Sequence, residues 1–147
     1  MYSNTKSAYF KYQKNDVLSL SKAEVVDRLL KALLTNIEKA CVAMESGQIA
    51  KKGEAISRAI AIAGELQASL NFEEGGEIAE NLNSLYDYII RELLFANLKN
   101  DIERIKKLQD VVIPIIEAWS EISVKQKQNI SNHDIQKEQP KQLQAAL

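Results

Sequence analysis

Apolar residues recur at every third or fourth position through most of the chain, which is the spacing that aligns them on one face of an α-helix. This pattern predicts four helices, at about residues 22–46, 49–70, 77–98 and 102–123. The stretches between them are short, so consecutive helices should lie antiparallel. We therefore predict an all-α fold, an antiparallel up-down-up-down four-helix bundle.

Residues that start or stop helices stand at the predicted boundaries. Ser21 and Glu24 have the spacing of a capping box, in which each side chain bonds the backbone of the other residue. Gly47 suits the left-handed conformation that commonly ends a helix. Residues 71–76 end with two glycines and are predicted to form the turn before the third helix.

The third predicted helix carries an apolar stripe with spacings of three and four, which we call the core stripe. Tyr86 continues this stripe and Tyr88 falls off it, so Tyr88 should be the more exposed of the two phenols. The members of the core stripe are Ile78, Leu82, Leu85, Tyr86, Ile89, Ile90, Leu93, Leu94 and Ala96.

The fourth predicted helix begins after an N-cap at Asn100 or Asp101 and contains a proline. Pro114 lacks a backbone N–H donor and is therefore expected to kink the helix. Trp119 lies one turn beyond, where a kink opens space.

Both ends of the chain differ from its middle. Residues 1–20 form a polar leader in which Tyr9 and Tyr12 are three positions apart, so one helical turn would place them on the same face. The leader is either a short helical segment that docks on the bundle or a frayed tail. Residues 124–147 are rich in Gln and Lys and are predicted to be mostly disordered, with a frayed extension of the fourth helix as the alternative. Residues 21–123 are the predicted bundle.

Charge and composition narrow the function classes. The chain of 147 residues has a formal net charge of -1, whereas nucleic-acid-binding domains usually carry a basic excess. No apolar run approaches the roughly 20 residues that span a bilayer, and the N-terminus does not resemble a signal peptide. Cys41 is the only cysteine, which excludes an intrachain disulfide and fits a reducing cytosol. We expect no nucleic-acid partner, no membrane insertion and a cytoplasmic location.

Few residues are suited to catalysis. The only histidine, His133, falls in the predicted tail, so an ordered general base for a Ser or Cys nucleophile is missing. Cys41 lies on an apolar helix face and is predicted to be a small buried hydrophobe. The acidic cluster of residues 73–77 is predicted to complement a helix N-terminus, and Lys51 and Lys52 to be a solvated pair. We therefore predict no enzyme activity, no catalytic residue, no cofactor and no metal.

Aromatic residues instead indicate a binding surface. Tyr86, Tyr88 and Trp119 supply more amphipathic aromatic side chains than a small core requires. Tyr and Trp are preferred anchors for peptides because they bury much area with few rotatable bonds and keep a polar tip. A groove between helices commonly accepts an amphipathic segment.

Several stretches together resemble the FliS family of flagellar export chaperones. The leader residues 8–15 resemble the family's Tyr-x-x-Tyr-Gln-x-Asn start, and Ser21 with Glu24 its first helix opening. Further similar stretches are residues 75–82, 85–88, 96–101 and 117–119. These stretches occur in the order and at the spacing typical of the family, and together they span about residues 8–123.

The resemblance implies a cytosolic, ATP-independent chaperone of type III secretion that binds the disordered C-terminal segment of flagellin. Binding would prevent premature polymerisation and keep flagellin competent for export, and the flagellar export gate is a second candidate partner. The predicted client-binding residues are Tyr9, Tyr12, Tyr86, Tyr88 and Trp119. A generic helical adaptor for another amphipathic helix is the alternative function.

Overall fold

The computed structural model describes residues 22–131, and this part of the chain folds into four α-helices. Helix α1 spans Lys22–Glu45, α2 spans Ile49–Ala68, α3 spans Phe72–Lys99 and α4 spans Ile102–Ser131. Helix α1 packs against both α2 and α4, and α3 packs against α2 and, less extensively, against α4. The short turns make neighbours antiparallel, so the prediction of an all-α four-helix bundle is confirmed.

Some predictions concern residues outside the described part of the chain. These are the leader of residues 1–20 with Tyr9 and Tyr12, the capping role of Ser21, and residues 132–147 with His133.

A single apolar cluster, to which all four helices contribute, forms the core. Full burial of one Leu or Ile side chain stabilises the fold by about 1.5–3 kcal/mol relative to exposure. Helix α2 adds Ala55, Ala59 and Ala63, whose small side chains let its backbone approach its neighbours closely. The largest fully buried side chains are Tyr86, Leu30, Leu33, Ile37, Ile56, Leu66, Ile89, Leu93, Ile105, Leu108 and Val112.

The turn between α1 and α2 confirms the predicted stop at Gly47. Gly47 has φ 69°, a left-handed conformation that a side chain disfavours. Its N–H donates to the Met44 carbonyl at 3.3 Å, and the Gln48 N–H donates to the Ala43 carbonyl at 2.9 Å. These two bonds form a Schellman motif, which satisfies carbonyls that α1 would otherwise leave unpaired.

Helix α3 begins earlier than predicted because Asn71 caps it. The Asn71 side chain accepts a hydrogen bond from the Glu74 N–H at 3.1 Å. Glu73 and Glu74 lie in this first turn, where the helix dipole favours acidic residues, as predicted. The helix then breaks at Gly76, whose φ of 51° and ψ of -127° are accessible essentially to glycine alone. The predicted turn therefore contains one helical turn ahead of the break.

Asn100 and Asp101, the two candidates for the N-cap of the fourth helix, have different roles in the turn between α3 and α4. Asn100 ends α3 in the left-handed conformation, with φ 51° and ψ 44°. Asp101 is the N-cap of α4, because its Oδ1 accepts a hydrogen bond from the Arg104 N–H at 3.1 Å.

Helix α4 runs through Pro114 and continues to Ser131. Pro114 is exposed, so water can satisfy the carbonyl that loses its N–H partner. A kink at this residue stays a prediction. Residues 124–131 are helical, which agrees with the alternative of an extended fourth helix.

A buried polar contact fixes α4 against α1. Asp27 is buried, and its Oδ1 accepts a hydrogen bond from the Ser120 hydroxyl at 2.8 Å. Its Oδ2 accepts one from the Lys31 ammonium at 2.7 Å. A buried carboxylate needs such donors, so this pairing favours one register of the two helices.

Candidate peptide-binding surface

The three predicted aromatic binding residues in the described chain occupy different environments. Tyr86 is 1% exposed and Trp119 is 3% exposed, so both belong to the core. Tyr88 is 41% exposed, which confirms that it is the accessible phenol of the pair. Tyr9 and Tyr12 lie outside the described residues. The structure therefore leaves Tyr88 as the starting point for a binding surface.

The electrostatics of Tyr86 agree with a core position. Burial raises the pKa of its phenol to about 12 from an ordinary value of 10.0. The neutral phenol therefore persists at physiological pH, because an apolar environment disfavours the charged form.

Beyond the break at Gly76, four exposed apolar side chains lie on the solvent side of α3, and we call them the α3 outer face. They are Tyr88, Leu94, Phe95 and Leu98. Leu94, Phe95 and Leu98 lie on adjoining turns, and Tyr88 lies two turns before Phe95 on the same side of the helix. Arg91 and Glu92 occupy the turn between Tyr88 and Phe95. At 1.5 Å per residue, the face extends about 15 Å. Exposed apolar patches of this kind mark interaction sites.

The prediction that Leu94 belongs to the core stripe is wrong, because Leu94 is exposed while the adjacent Leu93 is fully buried. One residue turns a helix by about 100°, so both cannot face the same core. Phe95 and Leu98 were not identified from the sequence as binding residues. Their spacing from Tyr88 and Leu94 was the signal that could have found them.

Helix α4 holds the ring of Phe95 in place. The guanidinium carbon of Arg104 lies 5.1 Å from the centre of the Phe95 ring, a cation–π contact. Arg104 Nε is 3.5 Å from Glu92 Oε2 and 3.5 Å from Asp101 Oδ2. One side of the ring therefore rests on α4, while about half of the residue stays open to solvent.

Helix α2 holds the other half of α3. The Gln67 amide Nε2 donates to Asp87 Oδ1 at 2.7 Å and to Asn83 Oδ1 at 3.2 Å. Asp87 precedes Tyr88, so this contact fixes the rotation of α3 where the outer face begins. A face fixed in this way is pre-organised and loses less entropy when it binds a partner.

The α3 outer face leads to a pocket of about 310 Å³ at the end of the bundle, where the α1–α2 and α3–α4 turns meet. Met44, Ile49 and Leu98 supply apolar walls, and Lys52 lies among them. We call this the turn-end pocket. Ile49 and Leu98 are 77% and 76% exposed, so its mouth is apolar and open.

Lys52 corrects the prediction of a solvated lysine pair. Lys51 is exposed, whereas Lys52 is buried, at 9% exposure. The Lys52 ammonium donates to the Asn97 carbonyl at 3.3 Å and to Asn100 Oδ1 at 3.4 Å. A cation is favourable there because the C-terminal end of α3 carries partial negative charge.

A second, larger concavity of about 610 Å³ lies between α1 and α2. Its lining mixes acidic Glu38 with basic Lys39 and Lys51, and Val42 is its largest apolar member. Arg58 forms an exposed ion pair with Glu54 at 2.7 Å. Most of the residues that line this groove are polar or charged, whereas the α3 outer face consists of exposed hydrophobic and aromatic side chains.

The described residues include few groups suited to catalysis. Cys41 is buried, and burial together with the Glu45 carboxylate raises the pKa of its thiol, which disfavours the nucleophilic thiolate. Within residues 22–131, no three His, Cys, Asp or Glu side chains are grouped to hold a metal ion. None of the helices in this same range is long and apolar enough to cross a membrane.

Comparison with known proteins gives one consistent family. A family model described as flagellar protein FliS matches residues 5–143. The chain is 43% identical over 110 residues to the flagellar secretion chaperone FliS of Salmonella typhimurium, covering 74% of this chain and 82% of that protein. It is 33% identical over 116 residues to the same-named protein of Vibrio cholerae, covering 78% and 85%. It is 30% identical over 113 residues to that of Bacillus subtilis, covering 77% and 84%.

Proposed function

The chain belongs to the FliS family of flagellar secretion chaperones, and from this premise we propose that it holds the C-terminal segment of flagellin in the cytoplasm before export. Flagellin bound in this way would keep its polymerising surface covered and would stay unfolded enough to be secreted. Holding a client by equilibrium binding requires no ATP. The flagellar export gate is a further candidate partner, to which the loaded chaperone would deliver its client.

The observation that carries this proposal is the α3 outer face. Its four apolar side chains stay exposed on a bundle whose core is already filled by other residues of the same helix. Such a face leaves apolar area in water unless a partner covers it. It therefore suits an apolar segment of another polypeptide.

The shape of the face favours an amphipathic client segment. The apolar side chains of this face can pack against apolar side chains spaced three and four residues apart on a second helix. A segment that is disordered when free loses conformational entropy as it orders, so its affinity stays moderate and release remains feasible. Moderate affinity suits a chaperone that must surrender its client at the export apparatus.

Tyr88 is the predicted aromatic residue that a client reaches directly. Tyr86 and Trp119 are covered by the core, so a client would contact them only after displacing the side chains above them. In the proposed complex they support the surface from beneath, and Tyr88 with Phe95 provides the aromatic contacts.

The leader is proposed to regulate this surface. Tyr9 and Tyr12 would cover an apolar part of the bundle in the free protein and yield to the client. Deleting residues 1–15 should then raise the affinity for a flagellin C-terminal peptide and lower the solubility of the free protein. Unchanged affinity and solubility would refute this role while leaving the chaperone proposal intact.

The proposed function is tested by mixing the purified chain with flagellin monomer and separating the mixture by size-exclusion chromatography with light scattering. We expect a stable one-to-one complex, and we expect the chain to suppress seeded polymerisation of flagellin. Separate elution of the two proteins, with unchanged polymerisation, would overturn the proposal. Capture of other amphipathic helices in preference to flagellin would favour the adaptor function.

A further inference from the structure

The α3 outer face and the turn-end pocket share Leu98. An apolar segment that follows the face from Tyr88 therefore arrives at Ile49 and Met44, which line the same pocket. At this end of the bundle α3 stops and the chain turns into α4. The pocket is thus the natural end point of a client lying on α3.

The cation in this pocket has no anionic partner among residues 22–131. No carboxylate of these residues lies within 4.0 Å of the Lys52 ammonium, whose acceptors are the neutral oxygens of Asn97 and Asn100. Both bonds, at 3.3 and 3.4 Å, are longer than the usual 2.7–2.9 Å of a charge-assisted hydrogen bond. A buried ammonium has three donors, and pairing with an anion offsets its desolvation.

The dimensions of the pocket restrict what can enter it. A helix with its side chains is about 10–12 Å wide and does not fit a pocket of about 310 Å³. One apolar side chain with an adjacent carboxylate does fit, and it matches the chemistry of the apolar walls and of Lys52. A C-terminal residue with an apolar side chain carries both groups on one residue, whereas an internal acidic residue needs a neighbouring residue to supply the apolar side chain.

We propose that the turn-end pocket binds the C-terminal carboxylate of the client, with Lys52 as its cationic partner and the last client side chain between Met44, Ile49 and Leu98. This inference rests on the proposed function, because it concerns the end of the same bound segment. It also sets a direction: the client lies parallel to α3, with its C-terminus at the C-terminal end of that helix.

The test compares two synthetic peptides of the flagellin C-terminal segment that differ only at the last group, a free acid and a primary amide. Their affinities are measured by calorimetry for the unmodified chain, for Lys52→Met and for Lys51→Met. Lys51 is the matched control because it is the neighbouring lysine, is exposed and does not line this pocket. Methyl resonances of Ile49 and Leu98 in the unmodified chain report occupation of the pocket.

We expect the free acid to bind the unmodified chain on the order of tenfold more tightly than the amide, the effect of one charge-assisted hydrogen bond. Lys52→Met should abolish this difference, Lys51→Met should preserve it, and the acid alone should shift both methyl resonances strongly. Equal affinity of acid and amide for the unmodified chain would overturn the inference and leave the proposed function standing. A difference that persists in Lys52→Met would also overturn it. Failure of both peptides to bind would overturn the proposed function itself.

Discussion

Tyr86 and Tyr88 are two positions apart on α3, and the helix directs them to opposite sides. Tyr86 fills the core and Tyr88 faces solvent, as the periodicity of the sequence predicts. Periodicity does not place Leu94, because Leu93 and Leu94 are both apolar and the packing of neighbouring helices decides which one is covered. Lys52 was missed for a different reason. It lies four positions before Ile56 and seven before Ala59, so helical spacing places it on the covered side of α2, whereas its charge favours solvent.

At the α3 outer face, we expect Leu98→Asp to lower the affinity for the flagellin C-terminal segment by about tenfold or more. A charge placed there is desolvated when a client covers it. The free energy of unfolding should fall by only about 1 kcal/mol, because the site is exposed and the cost is limited to the lower helix propensity of Asp and its position at the negative end of α3. Fluorescence titration with the client peptide measures the affinity.

Val42→Asp is the matched control for this substitution. Val42 is also an exposed apolar residue, but it lies on α1 and lines the groove between α1 and α2. We expect it to leave client affinity within about twofold. Loss of affinity in Val42→Asp and not in Leu98→Asp would assign the client to that groove instead.

Tyr86 gives the protein a pH dependence at alkaline pH. Its folded pKa, about 12, lies above the unfolded value of 10.0, so the folded state retains the phenolic proton longer. The stability from the neutral phenol is therefore complete below about pH 10 and is lost as the pH rises towards 12. We expect the free energy of unfolding of the native chain to fall by about 2–3 kcal/mol across this pH window, as measured by urea unfolding.

Tyr86→Phe should remove the part of this alkaline loss of stability that comes from Tyr86, because Phe has no phenolic proton to release. Tyr88→Phe is the control, since it removes an exposed phenol of the same helix and should keep the native pH dependence. Equal alkaline losses in the native chain and in Tyr86→Phe would contradict this account of the core.

At the scale of the elements, the ends of the helices were largely predictable because local chemistry determines them. Gly47 ends α1 in the left-handed conformation, and Asp101 caps α4. The start of α3 was misplaced because the two consecutive glycines suggested a turn. Asn71 instead caps one helical turn ahead of Gly76. The sequence alone does not show whether the capping residue or the glycine pair determines where the helix starts.

Two glycine substitutions with opposite expected effects on stability test whether local backbone conformation determines the helices and their ends. Gly47→Ala should destabilise the fold by about 1–2 kcal/mol, because a side chain disfavours φ 69°. Gly53→Ala, inside α2, should stabilise it by up to about 1 kcal/mol through higher helix propensity. A side chain at either position meets no atom within 4 Å, so conformation alone differs. Urea unfolding that gives both changes the same sign would contradict this explanation.

At the scale of the whole molecule, the bundle was predictable because four amphipathic helices with short turns have few ways to bury their apolar sides. The proposed binding surface was only partly predictable. The exposure of Tyr88 followed from the periodicity of the sequence. The α3 outer face and the turn-end pocket did not, because they depend on which side of α3 the neighbouring helices cover. Helix α4 packs mainly on α1 and only partly on α3, and the four side chains of the α3 outer face stay exposed.

The central claim is that this bundle binds flagellin through the flagellin C-terminal segment. The most direct measurement is a calorimetric titration of the chain with full-length flagellin monomer and, in parallel, with flagellin that lacks its C-terminal segment. We expect saturable one-to-one binding of the full-length protein and no binding of the truncated one. Equal binding of both flagellins, or no binding of either, would contradict it.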